Sequence, residues 1–206
     1  MASPPTARPS TRAPRSDGIR TRAAILRAAA RMATVEGLDG LSIGALATEL
    51  GMSKSGLYAH FGSKVELQLA TVDEAGRIFE ETVVGPALAA PSPHARLLAL
   101  CDLYVQHLRD RVFPGGCFFA GAALEMGSRP GPVRDAVAAF QRRLTGLVAG
   151  LVVASQEEGV LLDEDPRGLA FEITGQFLAA SAGFTLTDDA GILELAETVL
   201  HRRLGG

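Results

Sequence analysis

Apolar residues recur along most of this chain at the three- and four-residue steps of helices, and glycine or proline breaks divide the pattern into segments. Residues Ala23 to Glu36 are helical in pattern. Ile43, Leu46, Ala47 and Leu50 form one face of a short helix with Ser42 at its N-cap position, Gly51 suits its left-handed stop, and Met52 supplies the apolar residue just beyond. Ser53 caps a second helix whose narrow buried face is Leu57 and Phe61. Ser63-Lys64-Val65-Glu66 fits the S-x-x-E capping box and opens a third, on which Leu69, Val72, Phe79 and Val83 share a face with Gly76, and which is expected to end at Gly85-Pro86. Ser92-Pro93 opens a helix carrying Leu97, Cys101, Tyr104 and Leu108, and it stops near Phe113-Pro114. A short small-residue-rich helix lies within GGCFFAGAALEMGSRPGP. After Pro132, the positions Val133, Val137, Phe140, Leu144, Leu147, Leu151 and Ala154 alternate steps of four and three up to Gly159. Asp165-Pro166 opens a helix with Leu169, Ile173, Phe177, Ala180 and Phe184, and Asp188 is expected to cap a last one running to Leu204. The prediction is an all-α fold of about nine helices, with no convincing alternating strand pattern.

The pair of short helices around Gly51 carries the most chemistry. The outward face of the second holds Lys54, Ser55 and Tyr58, with Gly56 beside them: a cation, a hydroxyl, a phenol and a place where backbone can come close, which suits a DNA major groove. No acidic residue lies between Glu49 and Glu66, and Lys64 sits at the positive end of the third helix, where backbone amides also attract phosphate.

The segment from about Arg20 to Leu69 resembles the N-terminal domain of TetR-type transcriptional regulators, through Arg22, Ile25, Leu26, Ala29 and Ala30, the Leu41-Ser42 pair, and Tyr58, His60, Phe61 and Lys64. The resemblance implies a helix-turn-helix DNA-binding domain over 17–64 and a helical effector-binding and dimerisation domain over 65–206. By the same resemblance the DNA-contacting places fall on Ser42, Ser53, Lys54, Ser55, Gly56, Tyr58, His60 and Lys64. It further implies a homodimer on a palindromic double-stranded operator, with recognition helices roughly 34 Å apart and the helix from Lys64 as the lever through which a small ligand alters their separation. This chain departs from the pattern at Gly44, Ala45 and Gly62, where basic or longer polar side chains are common in the group.

Charge supports the division. Across 206 residues the net charge is −3, yet residues 1–64 sum to +5 and residues 65–206 to −8, so one end suits phosphate. Residues 1–16 hold four of eleven prolines and three arginines without an acid; they read as a disordered basic arm that adds phosphate contacts, with a transit peptide as the alternative. No apolar run near eighteen residues is apparent, so no membrane span is expected, and the two cysteines, Cys101 and Cys117, read as buried thiols in a reducing cytoplasm.

In the C-terminal part, Phe79, Tyr104, His107, Phe118, Met126 and Phe140 are candidates for a pocket taking an apolar or aromatic effector, against the plainer reading that they fill a core. The last two helices are apolar on more than one stripe, which points to a dimer interface including Phe171, Phe177, Leu178, Phe184, Leu195 and Val199. Two rival readings stand. Gly40-Leu41-Ser42-Ile43-Gly44 spells the G-x-S-x-G nucleophile elbow, but a helix precedes it where a strand is required, and no catalytic, metal or cofactor site is predicted. A ligand-independent DNA-binding adaptor under the control of a protein partner is the second.

Overall fold

Three serines set the starts of three helices. Ser42 Oγ accepts from the Ala45 amide at 3.0 Å and opens α2 (Ile43–Glu49); Ser53 Oγ accepts from Gly56 at 3.1 Å and opens α3 (Lys54–Tyr58). Ser63 Oγ accepts from Glu66 at 3.1 Å and opens α4 (Lys64–Phe79), while Glu66 returns its bond to the Gly62 amide at 2.9 Å, closing the capping box one residue early. Between α2 and α3, Gly51 adopts φ +63° and Met52 N donates to Ala47 O at 2.9 Å, the left-handed stop expected of that pair. Phe61 lies beyond the end of α3, in the following turn, and is buried there.

The computed structural model describes residues 14–205, among which there is no strand. Helix α1 (Pro14–Glu36) takes in the last residues assigned to the arm; the remainder of the arm, 1–13, lies outside the described residues. The expected stop at Gly85-Pro86 does not occur. A π turn (Glu80–Val84) follows α4, the Gly85 amide donates five residues back to Glu80 O, and α5 (Gly85–Leu88) continues the rod. The wide turn admits a proline that lacks an N–H, and Gly85 fits because a Cβ there would lie 3.0 Å from Glu80 O.

The rest of the chain forms α6 (Pro93–Arg109), α7 (Phe118–Met126), α8 (Pro132–Glu157), α9 (Pro166–Thr187) and α10 (Gly191–Leu204). With α4, the π turn and α5 counted as one rod, the described residues form nine helices. Asp188 does not cap α10. It takes φ +58° at the end of α9, donates its amide to Phe184 O at 2.9 Å and pairs with Arg111, while Asp189 accepts from Gly191 N at 2.8 Å in the turn before α10.

Two apolar cores result. The smaller gathers Ile25, Leu26, Ala29, Leu41, Ile43, Leu46, Leu57, Phe61 and Leu67; the larger is built from α4 to α10, with Ala30 and Ala33 of α1. Helices α1 and α4 enter both, so the N-terminal hairpin is fixed to the C-terminal bundle by shared rods. Helix α8 is, against expectation, long and apolar enough to cross a membrane by length and composition, but here it packs against α4, α6, α7 and α9. Phe177 and Phe184 correct the interface expectation: both are buried within the chain, Phe177 stacked on Tyr104 with ring centroids 4.0 Å apart and Phe184 beneath the Arg111 guanidinium. Their stripe on α9 faces the bundle, and the neighbouring stripe of Phe171 and Leu178 is the exposed one.

Candidate nucleic-acid interface and effector cavities

Helix α3 buries Leu57 and leaves Lys54, Ser55 and Tyr58 exposed, with Gly56 half-buried among them. The Lys54 stem lies across α2 at Gly44, where a Cβ would sit 3.3 Å from Lys54 Cε. Gly44 thus removes a side chain and makes room for a neighbouring cation. Ser53 Oγ, besides capping, lies 3.3 Å from Ser55 Oγ. Ser42 accepts a bond from Ala45, which leaves its O–H to donate. His60 is half-buried, its ring 6.3 Å from that of Phe61, and the Arg22 guanidinium lies 4.9 Å from the Phe61 ring.

Lys64 is half-exposed and engaged. Its Nζ donates to Asp39 O at 2.5 Å and lies 3.3 Å from Asp39 Oδ1, while Arg129 holds Asp39 Oδ2 at 2.7 Å. Arg129 and then Lys64 draw the Asp39 carboxyl below its ordinary range. Other basic residues of the first third also turn inward to the bundle: Arg27 pairs with Glu74 at 3.4 Å and Arg31 donates to Val112 O at 3.1 Å. Part of the positive excess read from the sequence therefore joins the two cores.

Of the six candidate pocket residues, Phe79, Tyr104 and Phe140 come together around a cavity of about 250 Å³, with Phe119, Phe171 and Phe177. Phe119 stacks on Phe140 with ring centroids 3.3 Å apart, and both rings also face a cleft of about 620 Å³ between the α4–α5 rod and α8, lined by Val72, Gly76, Val84, Arg143 and Leu147. The ring pair is a partition between the two spaces. Phe118 faces a separate 110 Å³ cavity beside Gly37 and Glu125, and Met126 a 350 Å³ one beside Val137.

His107 lies behind the cavity wall, its ring 5.7 Å from Phe79 and 5.5 Å from Phe113. Thr82 Oγ1 donates to Ile78 O at 2.8 Å and so accepts from His107 Nδ1 at 2.9 Å, which leaves Nε2 unprotonated, buried and without a partner among the described residues. Burial lowers the His107 pKa to about 4, with Asp110 pulling weakly the other way. Tyr104 O–H donates to Phe177 O at 2.9 Å. Burial raises the Cys101 thiol to about 12 and Cys117 likewise upward, so both stay protonated.

Phe171, Leu178 and Leu186 of α9 and Leu195 and Val199 of α10 stand exposed on the outer stripe, with Phe171 77% and Leu195 62% accessible. The sequence did not single out Phe119 or the Glu125–Asp39–Arg129 group. Phe119 adjoins Phe118, and one step around a helix decides which of the two enters the cavity wall.

The sequence matches the profile of the bacterial regulatory proteins of the tetR family over residues 25–71 and the tetracyclin repressor-like C-terminal domain over residues 93–200. No individual curated protein matches it. Among solved structures, a TetR transcriptional regulator from Chloroflexus aurantiacus is 26% identical and superposes with a TM-score of 0.83, covering 90% of this chain and 94% of that one. A TetR-family regulator from Streptomyces coelicolor shares the fold at 24% identity and a TM-score of 0.75, covering 92% and 97%. The same holds for AibR in complex with isovaleryl coenzyme A and operator DNA, at 23% identity and a TM-score of 0.71, covering 88% and 97%. With the C-terminal profile alone spanning more than half of its length and the N-terminal profile lying over the α2–α3 hairpin, this chain belongs to the TetR family of bacterial transcriptional regulators.

Proposed function

We propose that the chain is a dimeric, sequence-specific DNA-binding regulator that acts in the cytoplasm as a repressor and leaves its operator when a small apolar or aromatic ligand enters the C-terminal bundle. The observation that carries this reading is the α3 surface, where Lys54, Ser55 and Tyr58 stand exposed over buried Leu57. Lys54, Ser55 and Gly56 then meet base edges, while Ser42, Ser53, Tyr58, His60 and Lys64 meet phosphates and set the register. The test is selection of duplexes from a random-sequence pool by the full chain, followed by binding assays. The enriched duplexes are expected to be palindromic. Lys54→Ala should change which base is preferred, by about 1–3 kcal/mol at one position, and Tyr58→Ala or Lys64→Ala should weaken all sequences alike. A pool without enrichment, or three variants binding like the wild type, removes the reading.

The aromatic-walled 250 Å³ cavity and the adjoining cleft support an apolar or aromatic effector. A thermal-shift screen finds it as a compound that both stabilises the chain and releases DNA; AibR makes acyl thioesters a reasonable first set. The exposed stripe of Phe171 and Leu178 on α9 with Leu195 and Val199 on α10 supports a two-fold dimer in which these residues meet their copies.

A further inference from the structure

Helix α7 does different things at its two ends. Near its start Phe119 stacks on Phe140 in the partition between the 250 and 620 Å³ spaces. Near its end Glu125 reaches the turn that joins α1 to α2: Oε2 accepts from the Leu38 amide and Oε1 from the Asp39 amide, both at 2.8 Å. The turn is built for this grip. Gly37 has φ +81°, and a Cβ there would lie 3.0 Å from both Glu125 oxygens, so a glycine lets the carboxylate close on two successive amides. On the other side the Leu38 carbonyl accepts from the buried Gln68 side chain at 2.7 Å.

Held this way, the turn presents Asp39 to the cation of the DNA face. Lys64 Nζ takes the Asp39 carbonyl at 2.5 Å and lies 3.3 Å from Oδ1, while Arg129, just past α7, takes Oδ2 at 2.7 Å. Arg129 offsets the Asp39 charge, so the carboxylate orients Lys64 without repelling an incoming phosphate. A lysine head already oriented loses less rotamer freedom when it meets that phosphate.

Resting on the DNA-reading proposal above, we infer that Glu125 and Arg129 are positioning residues, through which the C-terminal bundle sets the place of Lys64 at the DNA face. Helix α7 is then a second connection, beside α4, between the cavity wall and the DNA reader. Six residues, about 9 Å of continuous helix, separate Phe119 from Glu125, so a displaced Phe119 carries Glu125 with it.

The test uses the full chain and duplexes it has enriched from a random pool. Glu125→Gln keeps the size but offers one acceptor oxygen to two amides; Glu125→Asp keeps both oxygens. Arg129→Ala is a surface change that leaves α7 intact and keeps the test open if Glu125→Gln fails to fold. Glu125→Gln and Arg129→Ala should each weaken binding roughly fivefold, and less than about twofold when Lys64 is already alanine, because a residue acting through Lys64 has nothing left to position. Amide exchange at Leu38 and Asp39 should rise about tenfold or more in Glu125→Gln and be partly restored in Glu125→Asp. An undiminished penalty in the Lys64→Ala background overturns the inference, as does unchanged exchange at both amides. If the wild-type chain enriches no duplex, the DNA reading and this inference fall together; enrichment with additive penalties sinks the inference alone.

Discussion

His107 ties the C-terminal core to pH. In the folded chain its pKa falls to about 4 from an ordinary 6.5, because a proton on the ring would place a charge among Phe79, Phe113 and Thr82. The unfolded chain takes up that proton below about pH 6.5, and the folded chain does so only near pH 4, so the contribution is whole above 6.5 and is lost as pH falls toward 4. The full difference is about 3 kcal/mol, of which about 2 kcal/mol disappears between pH 7 and pH 5. The assay is urea unfolding at those two pH values for the wild type and His107→Asn. Asparagine keeps a donor for Thr82 and does not titrate. Its lost ring contacts lower stability equally at both pH values, and the comparison cancels the other titrating groups. Equal acid losses in the two chains would refute the reasoning.

Other consequences are quickly checked. Tyr104→Phe removes the buried bond to the Phe177 carbonyl but keeps the ring stack, and should lower unfolding free energy by about 1 kcal/mol in denaturant titrations. Ser53→Ala removes the α3 cap and should cost about 1 kcal/mol in the N-terminal domain, read as earlier thermal unfolding. Leu178→Glu with Leu195→Glu places charges on the exposed stripe of α9 and α10; sedimentation velocity should show a monomer with unchanged helix content, and a persisting dimer would locate the interface elsewhere.

Much of the architecture was legible because caps and periodicity are local. Ser42, Ser53 and Ser63 bond to amides three residues on, Gly51 needs its own positive φ, and the four-and-three spacing of α8 marks its buried face at Val133, Val137, Phe140 and Leu151, although Val148, Val152 and Ser155 are buried off that spacing. The local misreadings were those where two solutions compete within a few residues. Proline after glycine usually ends a helix, yet one wide turn carries the α4 rod through Pro86; Asp188 and Asp189 are both able to shape the turn before α10, and the pairing with Arg111 holds Asp188 at the end of α9.

The candidate site divides along the same line. Lys54, Ser55 and Tyr58 on an exposed face follow from Leu57 being the apolar residue of a five-residue helix. On α9, two apolar stripes lie side by side, and only packing against Tyr104 and Arg111 decides that Phe177 and Phe184 go in while Phe171 and Leu178 stay out. The sequence by itself determined most of the helices, the three serine caps at Ser42, Ser53 and Ser63 and the polar face of the hairpin, since each depends on residues at most a few positions apart. Tertiary structure alone decided which phenylalanine divides the cavities and which acid grips the turn at Leu38, 87 residues away, because those choices depend on where distant helices cross.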